Sequence, residues 1–284
     1  MIIIFFLLCK IMLTTLFLSF SFSYGFIILF FYTFQRKFMY KPDKIKDETV
    51  PAPASNIITI CPDHDTSLVG WFYFKDKTYP TLLFFHGNSG SLYDRLYKLD
   101  FFRQIPVNYL IVAYRCFHGN NGHPTENNLY HDAHLMKNWL NNKNIPDENI
   151  ILYGESLGTA VAIHLSSIHH NFQGVILESP FLSMSKMSQK QFPFLPTFLL
   201  TDKFNSDQKI NLVQCPLLIL HGTNDTLVPF SMGKTLYEKA TAPKFFYQNE
   251  DGHMLQFDSG IQNAITNFIQ FCRKKSSTKK ILYV

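Results

Sequence analysis

The sequence predicts an α/β fold, in which a mostly parallel central sheet is covered by helices on both faces. Strand-like apolar runs alternate with helix-like segments from Ile57 to Cys272, which is the pattern typical of such a sheet. The 284 residues suit one domain of roughly 240 residues together with a separate N-terminal segment. A sharp strand-to-helix corner at Gly154-Glu155-Ser156-Leu157-Gly158 is the third observation, and it marks the predicted functional edge of the sheet.

The N-terminal segment has the composition of a transmembrane helix. No charged residue occurs from Ile11 to Phe34. As a helix this stretch would extend about 36 Å, enough to cross a hydrocarbon core of roughly 30 Å with some tilt. The alternative is a cleaved signal peptide with a weak cleavage site at Ser21-Phe22-Ser23, but the apolar stretch is longer than the usual signal-peptide core. The predicted organisation is an anchor at residues 1–37, a folded domain at residues 38–275 and a basic tail at residues 276–284.

Charge is concentrated at the two ends of the folded domain. Basic residues follow the apolar span at Arg36, Lys37, Lys41, Lys44 and Lys46, whereas Lys10 alone precedes it. On the positive-inside rule, the folded domain of this single-pass protein would face the cytosol. The C-terminal run from Arg273 to Lys280 would either lie on an anionic leaflet or form a solvated end. Because these ends largely explain the net charge of +5, that charge gives no support for nucleic-acid binding.

The corner at residues 154–158 is a candidate site for an exposed nucleophile. The apolar run at residues 150–153 precedes it, and residues 159–165 have a helical pattern. Glycines two residues before and after Ser156 allow the chain to fold back without a Cβ clash. The Ser156 hydroxyl would therefore project at a helix N-terminus. The alternative is an accidental Gly-x-Ser-x-Gly in an ordinary turn, and the rest of the chain has to decide between the two.

A serine hydroxyl needs a base to take its proton and a carboxylate to orient that base. Asp225 follows the apolar run at residues 216–220, and His253 follows the strand-like run at residues 245–247. Each therefore comes directly after a predicted strand, in the chain order serine, acid, histidine. We predict Ser156, Asp225 and His253 as a catalytic triad, with Asp202 and Asp251 as the other aspartates to test.

Acyl transfer also requires N–H groups that stabilise the negative charge on the carbonyl oxygen. Phe84-Phe85-His86-Gly87-Asn88-Ser89-Gly90 has the pattern of a strand that ends in a glycine-rich loop before a helix. The predicted oxyanion donors are the backbone N–H groups of Asn88 and Leu157. His86 is predicted to be structural. A plain strand-to-helix turn would also explain the glycines, although not the position of this loop before the serine corner.

Taken together, these motifs resemble those of α/β-hydrolase-fold serine hydrolases, and most closely the membrane-anchored α/β-hydrolase-domain-containing proteins, including the bud-emergence-type group. The resemblance covers about Phe34 to Phe271. It rests on His86–Gly90, Tyr114-Arg115, Gly154–Gly158, Glu178–Ser183, His221–Asp225 and Asp251–His253. One departure is visible: the family usually has Tyr-Arg-Gly-Tyr-Gly, whereas this chain has Tyr114-Arg115-Cys116-Phe117-His118-Gly119.

The resemblance implies a serine hydrolase that acts on ester or thioester bonds of lipid-like acyl substrates. A palmitoyl-protein thioesterase and a lysophospholipid or monoacylglycerol lipase stay open as alternatives. A catalytically idle membrane scaffold is the rival from another class, although a scaffold has no physical need for an intact triad. Neither a cofactor nor a metal is expected. The five cysteines show no CxxC, disulfide or zinc pattern, and the eleven histidines have no metal-ligand spacing.

An aromatic, proline-interrupted segment between two predicted strands suggests a short lid over the site. It runs from Gln191 to Leu200. We expect Phe192, Phe194, Phe198 and Leu199 to line an acyl channel, with ordinary apolar packing as the alternative. Because the anchor is remote in sequence from every motif, we also expect a chain without residues 1–37 to be soluble and to keep its esterase activity.

Overall fold

The computed structural model describes residues 2–43 and 56–281, and strands alternate with helices as the sequence predicts. The strands are β1 (Lys41–Pro42), β2 (Asn56–Ile60), β3 (Leu68–Tyr73), β4 (Thr81–Phe85), β5 (Ser89–Gly90), β6 (Asn108–Val112), β7 (Ile150–Glu155), β8 (Gly174–Glu178), β9 (Leu217–Gly222) and β10 (Lys244–Asn249). The α-helices are α1 (Ile2–Met39), α2 (Leu96–Gln104), α3 (Glu126–Asn142), α4 (Leu157–Ile168), α5 (Met184–Gln191), α6 (Phe230–Lys239) and α7 (Ser259–Ile281).

Eight of these strands form one sheet in the order β10-β9-β8-β7-β4-β6-β3-β2. The pairings of β3 with β2 and with β6 are antiparallel, and the other pairings within this sheet are parallel. Strands β1 and β5 form a separate parallel pair. The predicted α/β fold with a mostly parallel sheet is therefore confirmed.

Helices cover both faces of the sheet, as two neighbouring residues of β7 show. A Cβ at Gly154 would lie 2.6 Å from the carbonyl oxygen of Gly158, so the face that Gly154 presents is covered by α4. The ring of Tyr153 packs on Phe102 of α2, with centroids 5.4 Å apart. Because successive residues of a strand point to opposite faces, α4 and α2 lie on opposite sides of the sheet.

The parallel strands bring the predicted site residues to one edge of the sheet. Asn88, Ser156, Asp225 and His253 follow β4, β7, β9 and β10. These strands point in the same direction, so the loops after their carboxyl ends meet at the same edge. Every residue of β4, β7, β8 and β9 is buried, which gives this edge a rigid base.

The predicted lid corresponds to the connection between β8 and β9. We call residues 184–200 the cap segment: it contains α5 and a short 3₁₀ turn at Thr197–Leu199. At the other end of the chain, α7 continues to Ile281, so part of the predicted basic tail is helical. Residues 282–284 of that tail, like Lys44 and Lys46, lie outside the described residues.

Helix α1 is 38 residues long, and it is long and apolar enough to cross a membrane. From Lys10 to Ser23 every side chain is exposed. Further along, a stripe of half-buried residues recurs every three or four positions at Tyr24, Ile28, Phe31, Gln35 and Met39. This spacing places the stripe on one side of the helix. The second half of α1 therefore packs on the domain through one face.

Candidate active site

Ser156 lies at the corner between β7 and α4 in a left-handed backbone conformation, with a φ of 48°. Such a φ is costly for a residue with a side chain and is found where the surroundings enforce it. Here the Ser156 N–H donates to the carbonyl oxygen of Glu178 at 2.8 Å. A Cβ at Gly158 would overlap the carbonyl oxygen of Phe85, so only glycine lets α4 approach β4 this closely. These contacts hold the Ser156 side chain clear of the sheet.

The structure brings Ser156, His253 and Asp225 into one chain of contacts. Nε2 of His253 lies 2.9 Å from the Ser156 hydroxyl oxygen. Nδ1 of the same ring lies 2.8 Å from Oδ2 of Asp225. With its proton on Nδ1, the imidazole donates to Asp225 and accepts from the serine hydroxyl. Ser179 adds a further restraint, because its hydroxyl donates to the backbone oxygen of His253 at 3.0 Å.

Asp225 is held in a fixed orientation by its own loop. Its Oδ1 accepts from the N–H groups of Leu227 and Val228 at 2.9 and 2.8 Å, which leaves Oδ2 directed at His253. Nε2 of the buried His221 lies 3.4 Å from the same Oδ2. Burial alone would raise the pKa of Asp225, but the contacts with His221 and His253 outweigh burial and hold that pKa well below its usual range. The carboxylate is therefore ionised at neutral pH.

The other two aspartates have different partners. Asp202 is buried and accepts from the guanidinium of Arg36 at 2.9 Å and from the hydroxyl of Tyr40 at 3.2 Å. Asp251 accepts from the side chain of Asn249 and from the backbone of Gln256. Of the three aspartates, Asp225 is the one that contacts His253.

The loop after β4 is fixed from beneath by His86. This ring is fully buried, with Nδ1 2.7 Å from the Gly87 oxygen and Nε2 3.1 Å from the Tyr114 N–H. Burial, together with the charge of Arg95, lowers the pKa of His86 to about 3, so the ring is neutral and donates through Nδ1. In a trans peptide the N–H is opposite the carbonyl. The hydrogen bond to Gly87 therefore sets the direction of the Asn88 N–H.

Asn88 and Leu157 both line the cavity that contains Ser156. The side chain of Asn88 donates to the backbone oxygen of Met39 at 2.8 Å, and the backbone carbonyl of Asn88 accepts from the Lys41 N–H at 2.8 Å. The end of α1 is thus hydrogen-bonded to the loop that carries one predicted oxyanion donor.

A buried group of charges lies beneath the site, and the sequence motifs do not predict it. Glu155 and Glu178 are paired residues on β7 and β8. The fully buried ammonium of Lys98 lies 2.7 Å from both carboxylates, and Arg95 lies 2.6 Å from Glu155. Burial raises the pKa of Glu178. At Glu155 the two cations outweigh burial and lower the pKa. Two adjacent buried carboxylates require a buried cation. Once Glu155 and Glu178 are placed side by side at the ends of their strands, this requirement predicts that a cation lies between them.

The cavity at Ser156 has a volume of about 290 Å³ and mostly apolar walls. One wall comes from the cap segment and another from α1, which is therefore close to the site in space although remote in sequence. Phe192 and Leu199 line the cavity as expected, whereas the expectation for Phe194 and Phe198 is wrong. Their side chains point outward, with 51% and 76% of their surface exposed.

Among the described residues, no group of three or more histidine, cysteine, aspartate or glutamate side chains could hold a metal ion.

The loop with the unusual sequence, at residues 114–119, keeps a left-handed backbone despite its missing glycines. Cys116 and His118 have φ values of 68° and 52°. Arg115 in this loop pairs with the buried Asp132 at 2.8 Å and with Asp63 at 2.9 Å. Those ion pairs attach the loop to α3 and to the segment after β2.

The parallel sheet, the helices on both faces and the serine at the turn after β7 define an α/β-hydrolase. The esterase Pf2001 of Pyrococcus furiosus has the same fold, with a TM-score of 0.67 at 18% identity over 83% of this chain and 98% of that one.

Similarity to two relatives and to one protein family shows which family the chain belongs to. An uncharacterised protein of Mycobacterium tuberculosis is 30% identical over 77% of this chain and 79% of its own length. The lysophosphatidylserine lipase ABHD12 of Danio rerio is 30% identical over 64% of this chain, which spans about half (51%) of that relative. The phospholipase/carboxylesterase family of α/β-hydrolases matches residues 120–274. The chain belongs to this family and is a hydrolase.

Proposed function

We propose that the chain is a membrane-anchored serine hydrolase that cleaves ester or thioester bonds of acyl substrates. The observation that carries this proposal is the continuous contact from Asp225 through His253 to Ser156, whose hydroxyl opens into an apolar cavity. An oriented base next to a serine is the arrangement that acyl transfer needs. It also argues against an idle scaffold, for which this alignment would have no use.

The proposed reaction has two halves, the acylation of Ser156 and the hydrolysis of the acyl-serine. Nε2 of His253 takes the hydroxyl proton while the Ser156 oxygen bonds to the substrate carbonyl carbon. The N–H groups of Asn88 and Leu157 hold the negative carbonyl oxygen. Histidinium then returns the proton to the departing alcohol oxygen or thiol sulfur, which leaves an acyl-serine. Water, deprotonated by the same His253, releases the carboxylic acid and restores the serine.

Asp225 supports these steps through its negative charge and through the orientation of its carboxylate towards His253. Because its pKa lies well below the usual range, it carries a full negative charge beside the imidazolium that forms during the reaction. The buried Oδ1 contacts keep Oδ2 on Nδ1, and this selects the tautomer whose Nε2 is free to act as a base.

The class of substrate is supported by the walls of the cavity and by the relatives. Side chains such as Phe181, Met187 and Phe192 give the cavity an apolar lining, which suits an acyl chain. One relative is a lysophosphatidylserine lipase, so its substrate carries a single acyl chain on a polar headgroup. The resemblance to membrane-anchored hydrolases adds palmitoylated protein as the thioester alternative.

Helix α1 supports the membrane assignment. It has the length and composition of a single span. Arg36, Lys37 and Lys41 follow the uncharged stretch, which favours a catalytic domain on the cytosolic side. We propose residues 1–37 as the anchor and residues 38–275 as the hydrolase domain.

A substrate panel tests the proposal. Full-length protein in detergent is assayed against butyryl and palmitoyl esters, against matching thioesters and against a palmitoyl lysophospholipid, beside Ser156→Ala. We expect hydrolysis by the wild type and a loss on the order of 10⁴ to 10⁶ in the variant. A preference for palmitoyl thioesters would favour the protein-thioesterase alternative, and a preference for lysophospholipid would favour the lipase. Equal hydrolysis by the wild type and Ser156→Ala would contradict the proposal.

A further inference from the structure

Helix α1 forms one wall of the catalytic cavity. The α1 residues that line it are Ile28, Phe31, Tyr32, Gln35, Phe38 and Met39. Ser156 and Leu157 line the same cavity, so it extends without interruption from the nucleophile to the anchor helix.

The cap segment forms another wall of the cavity, and it contacts α1 at several positions between Tyr24 and Gln35. The hydroxyl of Tyr24 donates to the Phe194 oxygen at 2.8 Å, and the rings of Phe31 and Phe192 have centroids 5.0 Å apart. Just beyond the cap segment, the Thr201 N–H donates to Gln35 at 2.9 Å. The cap segment therefore lies beside residues 24–35 of the helix and not beside its end alone.

The charges of α1 fix where this contact lies relative to a bilayer. Between Lys10 and Arg36 the helix carries no charge, so this interval is the part that the hydrocarbon core accepts. Arg36 bonds to Asp202 of the domain, which places the domain at the near boundary of the core. Tyr24 lies about 18 Å further along the helix axis. The contact between α1 and the cap segment thus begins at the membrane surface and extends through the near leaflet to about the midplane.

The outward surface of the cap segment matches a lipid environment. Phe194 and Phe198 are 51% and 76% exposed, although Phe194 also contacts the ring of Phe31 on α1. Large exposed aromatic side chains are unfavourable in water, whereas at this depth they would contact acyl chains. The same residues that fail to line the cavity are therefore placed to embed the cap in the leaflet.

We propose that the acyl chain of a membrane-resident substrate binds in the part of the cavity between Ser156 and α1, against the anchor helix. Ile28 and Phe31 of α1 are the chain-binding residues on the anchor side. This inference rests on the proposed hydrolase activity and specifies where the acyl chain of its substrate binds. The anchor helix is then part of the substrate site and not only a tether.

The test compares cavity-facing and lipid-facing residues of the same helix in full-length protein reconstituted into phosphatidylcholine vesicles. Phe31→Ala and Ile28→Ala remove the wall. Phe26→Ala and Leu29→Ala are matched controls, because both residues are exposed, at 64% and 60%, and do not line the cavity. Each variant is assayed with butyryl and palmitoyl esters.

We expect Phe31→Ala and Ile28→Ala to lower kcat/KM for the palmitoyl ester by about tenfold, since shelter of roughly two methylenes is lost at each position. The butyryl ester should react at the wild-type rate, because Ile28 and Phe31 are proposed to contact only the distal part of a long acyl chain. The controls should match the wild type with both esters. A uniform loss with both esters, or equal behaviour of Phe31→Ala and Phe26→Ala, would overturn the inference.

A second variant fills the cavity beside α1 instead of enlarging it. Ile28→Trp should abolish the advantage of palmitoyl over butyryl esters while labelling by a short-chain fluorophosphonate stays at the wild-type level. Unchanged palmitoyl hydrolysis in this variant would show that the acyl chain does not bind against α1. Failure of the proposed function itself gives a different result, because the wild type would then hydrolyse neither ester.

Discussion

Asp225 has no contact with the position of a substrate and acts through His253, so its removal should be less severe than loss of the base. We expect Asp225→Asn to lower kcat by about 10⁴ and His253→Ala by about as much as Ser156→Ala, on the order of 10⁶. Asp251→Asn is the control in the neighbouring loop and should stay within about tenfold of the wild type. Steady-state kinetics with a butyryl ester gives the values. If Asp251→Asn proved as damaging as Asp225→Asn, Asp225 would lose its assigned role.

Lys98 compensates two carboxylates that have no access to water. Lys98→Met should lower the free energy of unfolding by about 3–5 kcal/mol, because it leaves Glu155 and Glu178 buried without their shared cation. Denaturant unfolding measures this loss, and Lys75→Met on the exposed surface is the control.

The loss in Lys98→Met should shrink as the pH falls. Without the cation, burial raises the folded-state pKa of Glu178 further above the unfolded value, whereas Glu155 keeps Arg95, so the folded protein takes up a proton at Glu178. The stability of the variant is then greatest below the unfolded pKa and is lost as the pH rises through the folded one. We expect a smaller deficit at pH 5 than at pH 8. An equal deficit at both pH values would mean that lost packing, and not unpaired charge, causes the effect.

The sequence predicts the positions of Ser156, Asp225 and His253 because each follows a recognisable apolar strand. Parallel strands must bring their carboxyl ends together, so chain order and strand pattern give the edge at which these residues meet. Lys98 is different. Its position on α2 is typical of a helix surface, and its burial depends on where the ends of β7 and β8 lie relative to α2. No local pattern contains that information.

At the level of secondary-structure elements, the loop at residues 114–119 carries strain that glycine would relieve. The usual family pattern has glycine where this chain has Cys116 and His118, and both residues keep positive φ. For a residue with a side chain this conformation costs about 1–2 kcal/mol, part of which glycine regains at the expense of a more flexible unfolded chain.

We therefore expect Cys116→Gly to raise the free energy of unfolding by about 0.5–1 kcal/mol. His118→Gly should gain less or lose stability, because the imidazole packs on Trp71 and Tyr93 with centroids 5.6 and 5.1 Å away. Thermal unfolding of the two variants beside the wild type distinguishes these effects. A lower melting temperature for Cys116→Gly would show that the cysteine side chain contributes more than the backbone strain costs.

Helix α1 shows what hydropathy cannot predict about an element. Its exposed residues and its domain-facing residues are both largely apolar, so hydropathy does not distinguish the stripe that packs on the domain. The sequence thus indicates a span but not its contact with the cap segment. The same reasoning explains the error for Phe194 and Phe198: an aromatic segment between two strands predicts a lid, and only the packing of α1 decides which rings face inward.

For the whole molecule, the proposed substrate site makes the anchor and the hydrolase domain one functional unit. A chain without residues 1–37 should enter the soluble fraction and still hydrolyse butyryl esters, since Ser156, Asp225 and His253 remain. It should lose much of its activity on palmitoyl esters, because the α1 wall of the cavity is gone. Activity of the truncated and full-length proteins across chain lengths, in the same detergent, makes the comparison. Identical chain-length profiles would support the simpler expectation that the anchor only tethers the domain.

Helix α1 also predicts where the protein lies in the cell. We expect full-length protein to remain in the membrane fraction, with its C-terminus digested by protease added to the cytosolic side. A mature N-terminus near Tyr24, found by mass spectrometry, would instead identify the first part of α1 as a signal peptide.

The central claim is that Ser156 is the nucleophile, activated by His253. The most direct measurement is peptide mapping by mass spectrometry after the full-length protein reacts with a fluorophosphonate. We predict one adduct per chain, on Ser156, and almost none in His253→Ala under the same conditions. An adduct on another residue, or full labelling of Ser156 in His253→Ala, would contradict the claim.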